Sequence, residues 1–222
     1  MDIVRIINVF LARIINLFRN STPSTPIPKD EAGTGSRVKI SPEVSEALSR
    51  KRPVVAIESA MLSNGTYGDE LLVSRKWMSF TLTLVHILFV GLPYPQNLLA
   101  VKELEAIVRR NGAVPAVVAI LDGVPCIGLS EEELKGLAYV DAQTTACRDI
   151  AHVIAKRERG GTSVSATMFL ANMVGTPIVV NCGISNIPSD LTELGRTSVA
   201  VVSTGAILAD DTPRMLVKHP GF

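Results

Sequence analysis

Short, almost wholly apolar runs alternate with longer segments of mixed polarity along most of this chain. Uninterrupted apolar runs of a few residues predict strands that are buried on both faces, which is typical of parallel sheets. The runs are PVVAI (53–57), AVPAVVAIL (113–121), PIVVN (177–181) and SVAVVST (198–204). Because helical patterns lie between them, the sequence predicts an α/β fold with a mainly parallel sheet flanked by helices.

Helix start and stop signals agree with this alternation. Ser41 and Pro42 open a short helix that ends at about Arg50, since proline suits the first helical position. Ser130 and Glu133 form a capping box at the start of another helix. Further helices are predicted at 97–110, where Asn111–Gly112 ends the pattern, at 148–157, and directly after the glycine pair Gly160–Gly161.

The first 37 residues differ in character from the rest of the chain. Residues 3–19 predict an amphipathic helix with arginines on one side and large apolar residues on the other. A linker rich in Pro, Ser, Thr and Gly follows at 20–36. This arrangement is typical of an organelle targeting segment. An ordinary surface-docking helix and a wrongly assigned start codon remain alternatives, so the expected location is intracellular, either cytoplasmic or organellar.

We therefore divide the chain into a segment at 1–37 and one α/β domain at 38–222, with an insertion at 66–91. The first part of the insertion is polar with mixed charge, and its second part, Trp77 to Val90, is almost wholly apolar. That apolar run is shorter than the roughly 18 residues that a membrane-spanning helix needs. A translated intron is the interpretation we favour, and a buried hairpin or helix is the alternative.

Composition excludes several classes of function. The net charge of +1 argues against a surface dedicated to a nucleic-acid polymer. Cys126, Cys147 and Cys182 are dispersed and form no CxxC motif, which favours a reducing compartment. The 3 histidines lack metal-ligand spacing, so a histidine-based zinc site is not expected.

Glu58 is the first candidate for chemistry, because it follows the apolar run 53–57 without a turn residue between them. A carboxylate that is buried and unpaired is costly. The carboxyl ends of parallel strands are, however, where α/β folds bind their ligands. The residues alone leave two interpretations: a catalytic acid, or a strand-end glutamate that is hydrogen-bonded to backbone.

Several longer sequence words resemble pseudouridine-5'-phosphate glycosidase in the form found in plants. They are KISPEVSEALSRKRPVVAIES, GLPYPQN, NGAVPAVVAILDGVPCIGLSEEEL, GGTSVSATM and SDLTELGRTSVAVVS. The resemblance covers about 38–65 and 92–216, in order. It implies an α/β enzyme that reversibly cleaves the C-glycosidic bond of pseudouridine 5'-phosphate to give uracil and ribose 5-phosphate. It further implies a divalent metal, manganese, and a homotrimer.

The resemblance assigns a role to each matching position. Glu58 corresponds to the family's proton donor, which is chemically sensible because the uracil carbon must be protonated as the C–C bond breaks. The family's metal-binding aspartate corresponds to Asn186, which offers a carbonyl oxygen without charge. The substrate-binding positions are Thr144, where the family has a phosphate-binding lysine, Val164, Ser189 and Asp190. Val164 follows the glycine pair, which predicts a phosphate cradle at the start of a helix.

The nucleophile is where the sequence departs most from the family. The family's lysine, which forms a Schiff base with the sugar, corresponds to Ile207, and isoleucine cannot form an imine. The family's glycine loop is shortened to NCGIS (181–185), and the family continues beyond Phe222, so the fold is expected to be incomplete at its C-terminus. These differences predict weak or absent turnover. The alternatives are a catalytically dead paralogue, a binding or assembly partner, or a decayed or mis-spliced gene product.

Overall fold

The structure of the protein is a computed structural model that describes residues 11–17, 38–63, 94–140, 142–181, 184–185, 188–203 and 206–207. The insertion predicted at 66–91 and the metal-ligand candidate Asn186 lie outside the described residues. For Ile207 the backbone is described and the side chain is not.

Strands and helices alternate through the described part of the domain. The strands are β1 (Lys39–Ile40), β2 (Val54–Ile57), β3 (Val114–Leu121), β4 (Val124–Ile127), β5 (Gln143–Thr145), β6 (Gly160–Thr162), β7 (Ile178–Asn181), β8 (Ile184–Ser185), β9 (Ala200–Ser203) and β10 (Ala206–Ile207). The helices are α1 (Pro42–Ser49), α2 (Ala60–Ser63), α3 (Gln96–Arg110), α4 (Glu131–Tyr139), α5 (Ile150–Lys156), α6 (Val164–Met173) and α7 (Pro188–Leu194), with a 3₁₀ turn at Cys147–Asp149 before α5.

Eight of the described strands form one sheet in the order β1-β4-β3-β2-β7-β9, with β5 and β6 branching from β3. The pairs β2–β3, β2–β7 and β7–β9 in its middle are parallel, whereas β3 pairs antiparallel with β4 and with β6. Strands β8 and β10 form a separate parallel pair. The predicted α/β class with a mainly parallel sheet is confirmed.

Two apolar cores cover the two faces of the sheet. Val55 and Ile57 of β2 belong to the first core, together with α3 and α4. Val54 and Ala56, which point the other way, belong to the second core, together with α1 and α6. Burial on both faces explains why these strands read as continuous apolar runs rather than as alternating patterns.

Local signals account for the helix ends. Glu133 N–H donates to Ser130 Oγ over 3.2 Å, and Ser130 N–H donates to a Glu133 carboxylate oxygen over 2.8 Å, so the predicted capping box is confirmed. Helix α3 ends at Arg110, and Gly112 adopts a φ of 77°, a conformation that glycine reaches without steric cost.

The β3–β4 hairpin was not among the predicted elements. Asp122 and Gly123 form its two-residue turn, with φ values of 52° and 80°. An Asp-Gly pair between two apolar runs is a strong hairpin signal, because both central residues of this turn need positive φ. The hairpin places β4 antiparallel to β3, next to the parallel strands in the middle of the sheet.

Residues 11–17 are helical, and two of their side chains enter the first core. Leu11 is 0% exposed and Ile15 is 1% exposed, and both lie in the cluster that contains Val55 and Ile57. This segment therefore packs as a docked helix on the α/β domain. A role in organelle targeting stays a prediction. In the described part of the chain, no helix has the length and apolar character required to cross a membrane.

Candidate functional site

Glu58 lies directly after the carboxyl end of β2 and is only 8% exposed. Its backbone N–H donates to Val180 O over 3.3 Å, which continues the β2–β7 ladder by one residue. Since side chains alternate along a strand, Glu58 points to the face that carries Ala56 and the second core. Helix α6, which begins at Val164, covers that same face.

Two further polar residues stand beside Glu58 at the ends of neighbouring strands. In the β2–β7 ladder Ile57 pairs with Val180, so Glu58 is level with Asn181. Asn181 in turn pairs with Ser203 of β9. Adjacent strands lie about 4.8 Å apart. Glu58, Asn181 and Ser203 therefore form a polar row across three parallel strands, at the edge where α/β sheets bind ligands.

Asn181 is the most unusual member of this row. Its side chain is 0% exposed, and neither its amide nitrogen nor its amide oxygen has a hydrogen-bond partner among the described residues. Most buried polar groups are paired, because leaving one unpaired costs free energy. Within the described part of the chain, the amide therefore leaves its N–H donors and its acceptor oxygen unpaired next to Glu58.

A buried hydroxyl network supports Glu58 from the β3 side. The last β2–β3 pair is Ile57 with Val117, and the first β3–β6 pair is Ala119 with Gly161, so Val118 falls where the neighbour of β3 changes. Ser59 Oγ donates to the Val118 carbonyl over 2.5 Å, and Thr162 Oγ1 donates to it over 2.6 Å. These bonds satisfy a buried carbonyl at a break in the ladder and fix the backbone beside Glu58.

The same two residues bond each other, which closes the network. Thr162 N–H donates to Ser59 Oγ over 3.0 Å, and Ser59 N–H donates to Thr162 O over 3.2 Å. Thr167 Oγ1 lies 2.9 Å from Thr162 Oγ1 and donates to Ser163 O over 2.7 Å. The strand end that carries Glu58 is thereby joined to the first turn of α6.

The first turn of α6 is occupied by protein groups. Ser165 N–H donates to Asp190 Oδ1 over 3.0 Å, and Asp190 is 3% exposed. Ser165 Oγ accepts from Cys147 N–H over 3.2 Å. Asp190 thus places a carboxylate at the positive end of the helix, where an anion is stabilised.

Gly160, the first glycine of the pair before α6, has a packing role. Gly160 and Gly161 lie within strand β6, between β3 and β5. A Cβ atom on Gly160 would lie 2.2 Å from Thr145 Oγ1, so a larger residue would clash with the neighbouring strand. Gly160 therefore permits close strand packing, a role that is independent of the predicted phosphate cradle.

The structure brings some of the predicted site residues together and separates others. Val164 and Asp190 meet at the start of α6, on the face to which Glu58 points. Ser189 is the neighbour of Asp190, and its Oγ is buried without a partner among the described residues. Thr144 lies on the exposed side of β5, outside this buried cluster. The backbone of Ile207 pairs with Ser185 in the separate β8–β10 sheet.

Among the described residues, no cluster of acidic, histidine or cysteine side chains marks a manganese site. These residues contain no group of three or more His, Cys, Asp or Glu side chains placed to hold a metal ion. Asp190, the acid nearest to the family's metal-binding position, gives Oδ1 to the Ser165 amide. Asn186 lies outside the described ranges.

Neither described cysteine offers a replacement nucleophile. Burial, together with the charge and hydrogen bond of the nearby Glu193 carboxylate, raises the pKa of the Cys147 thiol to about 11. Burial likewise raises the pKa of the Cys126 thiol to about 11. Both thiols therefore stay protonated near neutral pH, and the thiolate is the nucleophilic form.

The described lysines do not supply a replacement nucleophile either. Each is exposed or half-buried, and they lie at Lys39, Lys51, Lys102, Lys135 and Lys156. Lys39 is paired with Glu133 over 2.5 Å, and Lys102 and Lys135 both contact Glu131. A Schiff-base lysine therefore has no substitute in the described part of the cluster around Glu58.

Comparison with known proteins places this α/β sheet in a defined class. Residues 81–217 match the family described as Indigoidine synthase A like protein, and the chain belongs to that family. The matched range includes the end of the predicted insertion. The resemblance stated from the sequence motifs is confirmed at the level of the family and its curated members.

Curated relatives carry a more specific name. The chain is 49% identical over 193 residues to pseudouridine-5'-phosphate glycosidase of Arabidopsis thaliana, an alignment that covers 82% of this chain and 51% of that protein. It is 38% identical over 190 residues to the enzyme of the same name from Solibacter usitatus, covering 81% of this chain and 55% of the relative. The chain thus spans about half the length of the curated relatives it matches.

Two solved structures share the fold at 26% sequence identity. An indigoidine synthase A-like protein from Thermotoga maritima gives a TM-score of 0.62 and covers 85% of this chain and 57% of its own. The prealnumycin C-glycosynthase AlnA, solved in complex with ribulose 5-phosphate, gives a TM-score of 0.55 and covers 78% of this chain and 51% of its own. Both likenesses support the assignment of the fold.

Sequence reasoning missed several members of the site. Ser59, Thr162 and Asn181 were not singled out, although all three are fully buried polar residues at strand ends. A usable signal was present, because each follows an apolar or glycine run without a turn residue between them. What the sequence did not indicate was which strand ends meet.

Proposed function

We propose that this chain binds pseudouridine 5'-phosphate and its cleavage products, uracil and ribose 5-phosphate, with Glu58 as the proton donor to the uracil carbon. The observation that carries the proposal is the position of Glu58: a nearly buried carboxyl group at the carboxyl end of a parallel strand, on the face covered by α6. The names of the curated relatives support the choice of substrate.

The chemistry assigned to Glu58 follows from the bond that breaks. When the C–C bond between uracil and ribose cleaves, the uracil carbon takes up a proton and the bonding electrons stay with the base. A positioned carboxylic acid can deliver that proton. The hydrogen bonds of Ser59 and Thr162 to the Val118 carbonyl hold the adjacent backbone, so the acid is fixed before substrate arrives.

The family's nucleophile, which attacks the sugar, is replaced in this chain. The position that corresponds to the family's imine-forming lysine is Ile207, and the two described thiols are held protonated. Removal of a covalent nucleophile costs on the order of 10⁴ to 10⁶ in turnover. We therefore propose a site that retains ligand binding and has little or no family-like turnover. The chain is then a member of the family that binds the ligands of the enzyme but has lost most of its catalytic activity.

Three further features are proposed: the metal and the assembly rest on the resemblance alone, and the location rests on the pattern of residues 1–37 and on the dispersed cysteines. Manganese is proposed as the metal, with Asn186 as its one named ligand candidate. A homotrimer is proposed as the assembly. An intracellular location, cytoplasmic or organellar, is proposed for the protein. Light scattering of the purified chain tests the second of these directly, and binding assays with and without added manganese test the first.

The proposed function is tested by calorimetry and by an activity assay on the same preparation. We expect measurable binding of pseudouridine 5'-phosphate and of ribose 5-phosphate, and uracil release far below the rate of a relative that has the lysine, with manganese present in both assays. Borohydride added with ribose 5-phosphate should leave no adduct at residue 207. The absence of binding would overturn the proposal. Robust turnover would overturn the prediction that Ile207 makes the chain inactive.

A further inference from the structure

The buried amide of Asn181 carries an inference about which part of the ligand lies beside Glu58. Asn181 is 0% exposed, and both polar atoms of its side chain lack a partner among the described residues. It is level with Glu58 in the β2–β7 ladder, as the Glu58 N–H to Val180 O bond requires. The backbones of Asn181 and Glu58 are therefore about one strand spacing, roughly 4.8 Å, apart, and the Asn181 amide lies unpaired by any described residue beside the proposed acid.

We propose that Asn181 contacts the ligand and pairs with the imide edge of uracil, its amide nitrogen donating to a ring carbonyl and its amide oxygen accepting from the ring N3–H. This inference rests on the proposed function, since it takes uracil to be the base. The chemistry is complementary, because a carboxamide and an imide edge each present one donor and one acceptor side by side. Two hydrogen bonds then form at once and no atom of the amide remains unpaired.

The ring geometry of uracil agrees with this placement. The ring carbon that receives the proton is bonded to the carbonyl carbon of the imide edge, so the proton acceptor and the edge are neighbours on one ring. A residue one strand away from Glu58 is placed to hold that edge while Glu58 faces the carbon. Asn181 thereby acts as a specificity residue for the base.

Phosphate is a poorer occupant for the same position. A phosphate group offers only acceptors near neutral pH, so it would satisfy the amide nitrogen and leave the amide oxygen unpaired and buried, which is unfavourable. Asn181 also brings no positive charge that would attract an anion. The hydroxyl pair of ribose could satisfy both amide atoms, and the experiment separates that case from uracil.

Thr176 provides a matched control. Its hydroxyl is also buried and without a partner among the described residues. It precedes β7, at the opposite end of the strand from Asn181 and away from Glu58. If an unpaired buried polar atom were merely a packing defect, the two positions should respond alike to apolar substitution.

The experiment measures binding of uracil, in the presence of ribose 5-phosphate, and of ribose 5-phosphate alone to the full chain. We expect Asn181→Leu to weaken uracil binding by about tenfold or more, as the loss of two neutral hydrogen bonds implies, and to leave ribose 5-phosphate binding unchanged. Thr176→Val should change neither affinity. Both variants remove unpaired polar atoms, so both should keep or raise the melting temperature.

A chemical probe tests the same contact without altering the protein. In 3-methyluracil the N3–H donor is replaced by a methyl group, so wild-type protein should bind it about tenfold or more weakly than uracil. Asn181→Leu should lose that discrimination. Equal binding of the two bases by wild-type protein would overturn the inference, as would an Asn181→Leu variant that loses ribose 5-phosphate instead of uracil.

The outcomes also separate this inference from the proposed function. If wild-type protein binds ribose 5-phosphate but its uracil affinity does not depend on Asn181, only the role of Asn181 is wrong. If wild-type protein binds neither ligand, the proposed function and the inference both fail.

Discussion

The amide of Ser165 donates to Oδ1 of Asp190 over 3.0 Å, which ties the first turn of helix α6 to helix α7. The carboxylate is 3% exposed and lies at the positive end of a helix dipole. This contact fixes α7 against the face to which Glu58 points. Asp190 therefore has a structural role in addition to the substrate contact that the family resemblance implies for it.

We expect Asp190→Ala to destabilise the protein by about 1–3 kcal/mol, because a buried amide loses a charged acceptor. Asp190→Asn keeps an acceptor oxygen in place and should cost less. The free energy of unfolding, measured by urea titration of both variants, checks this. A wild-type stability for Asp190→Ala would contradict this structural role of the carboxylate.

The Cys147 thiol gives a prediction about pH. Burial first, and then the neighbouring Glu193 carboxylate, raise its pKa from 9.0 to about 11. At pH 8 the thiolate fraction is thus about 100-fold smaller than for an unperturbed cysteine. The alkylation rate of Cys147 with iodoacetamide should therefore keep rising with pH well beyond 9, as followed by mass spectrometry of its peptide.

The same peptide in urea-unfolded protein provides the control, and its rate should level off near the ordinary cysteine pKa. A plateau near 9 in the folded protein as well would contradict the buried setting of this thiol. The sign of the stability effect follows from linkage. Because the folded state holds the thiol proton more tightly, its contribution is complete below about pH 9 and is lost as the pH rises through about 11.

The strands could be predicted from the sequence because each one is buried on both faces. Val54 to Ile57 form an uninterrupted apolar run, since the two faces of the sheet carry one core each. Capping signals such as Ser130 with Glu133 are local and were equally readable. Glu58 was singled out because a charged residue directly after such a run conflicts with the pattern of burial.

The rest of the site depends on pairings between distant parts of the chain. Asn181 stands beside Glu58 only because β7 is the parallel neighbour of β2, and strand order is set by the whole fold. The bonds of Ser59 and Thr162 to the Val118 carbonyl arise where β6 replaces β2 along β3. Local hydrophobic periodicity predicts neither arrangement.

The helix at residues 11–17 allows a matched test of docking. Leu11 is 0% exposed and belongs to the first core, whereas Leu17 in the same helix is 65% exposed. We expect Leu11→Ala to cost about 2–5 kcal/mol, as buried leucine truncations do, and Leu17→Ala to stay within about 0.5 kcal/mol of wild type. Urea unfolding of the two variants measures the difference. Equal, small effects would mean that this helix is not part of the folded core.

The last prediction concerns residues 66–91, which lie outside the described residues and which we interpret from their sequence as a translated intron. Their polar first part and apolar second part share no strand or helix period, and exposed apolar stretches promote association. Deletion of 66–91 should therefore raise soluble yield without lowering the melting temperature, and most mature transcripts should lack these codons. The family match begins at residue 81, so a second variant that lacks only 66–80 is the informative comparison. If the shorter deletion is tolerated and the full deletion lowers stability, residues 81–91 are a genuine part of the domain and the intron interpretation is wrong for them.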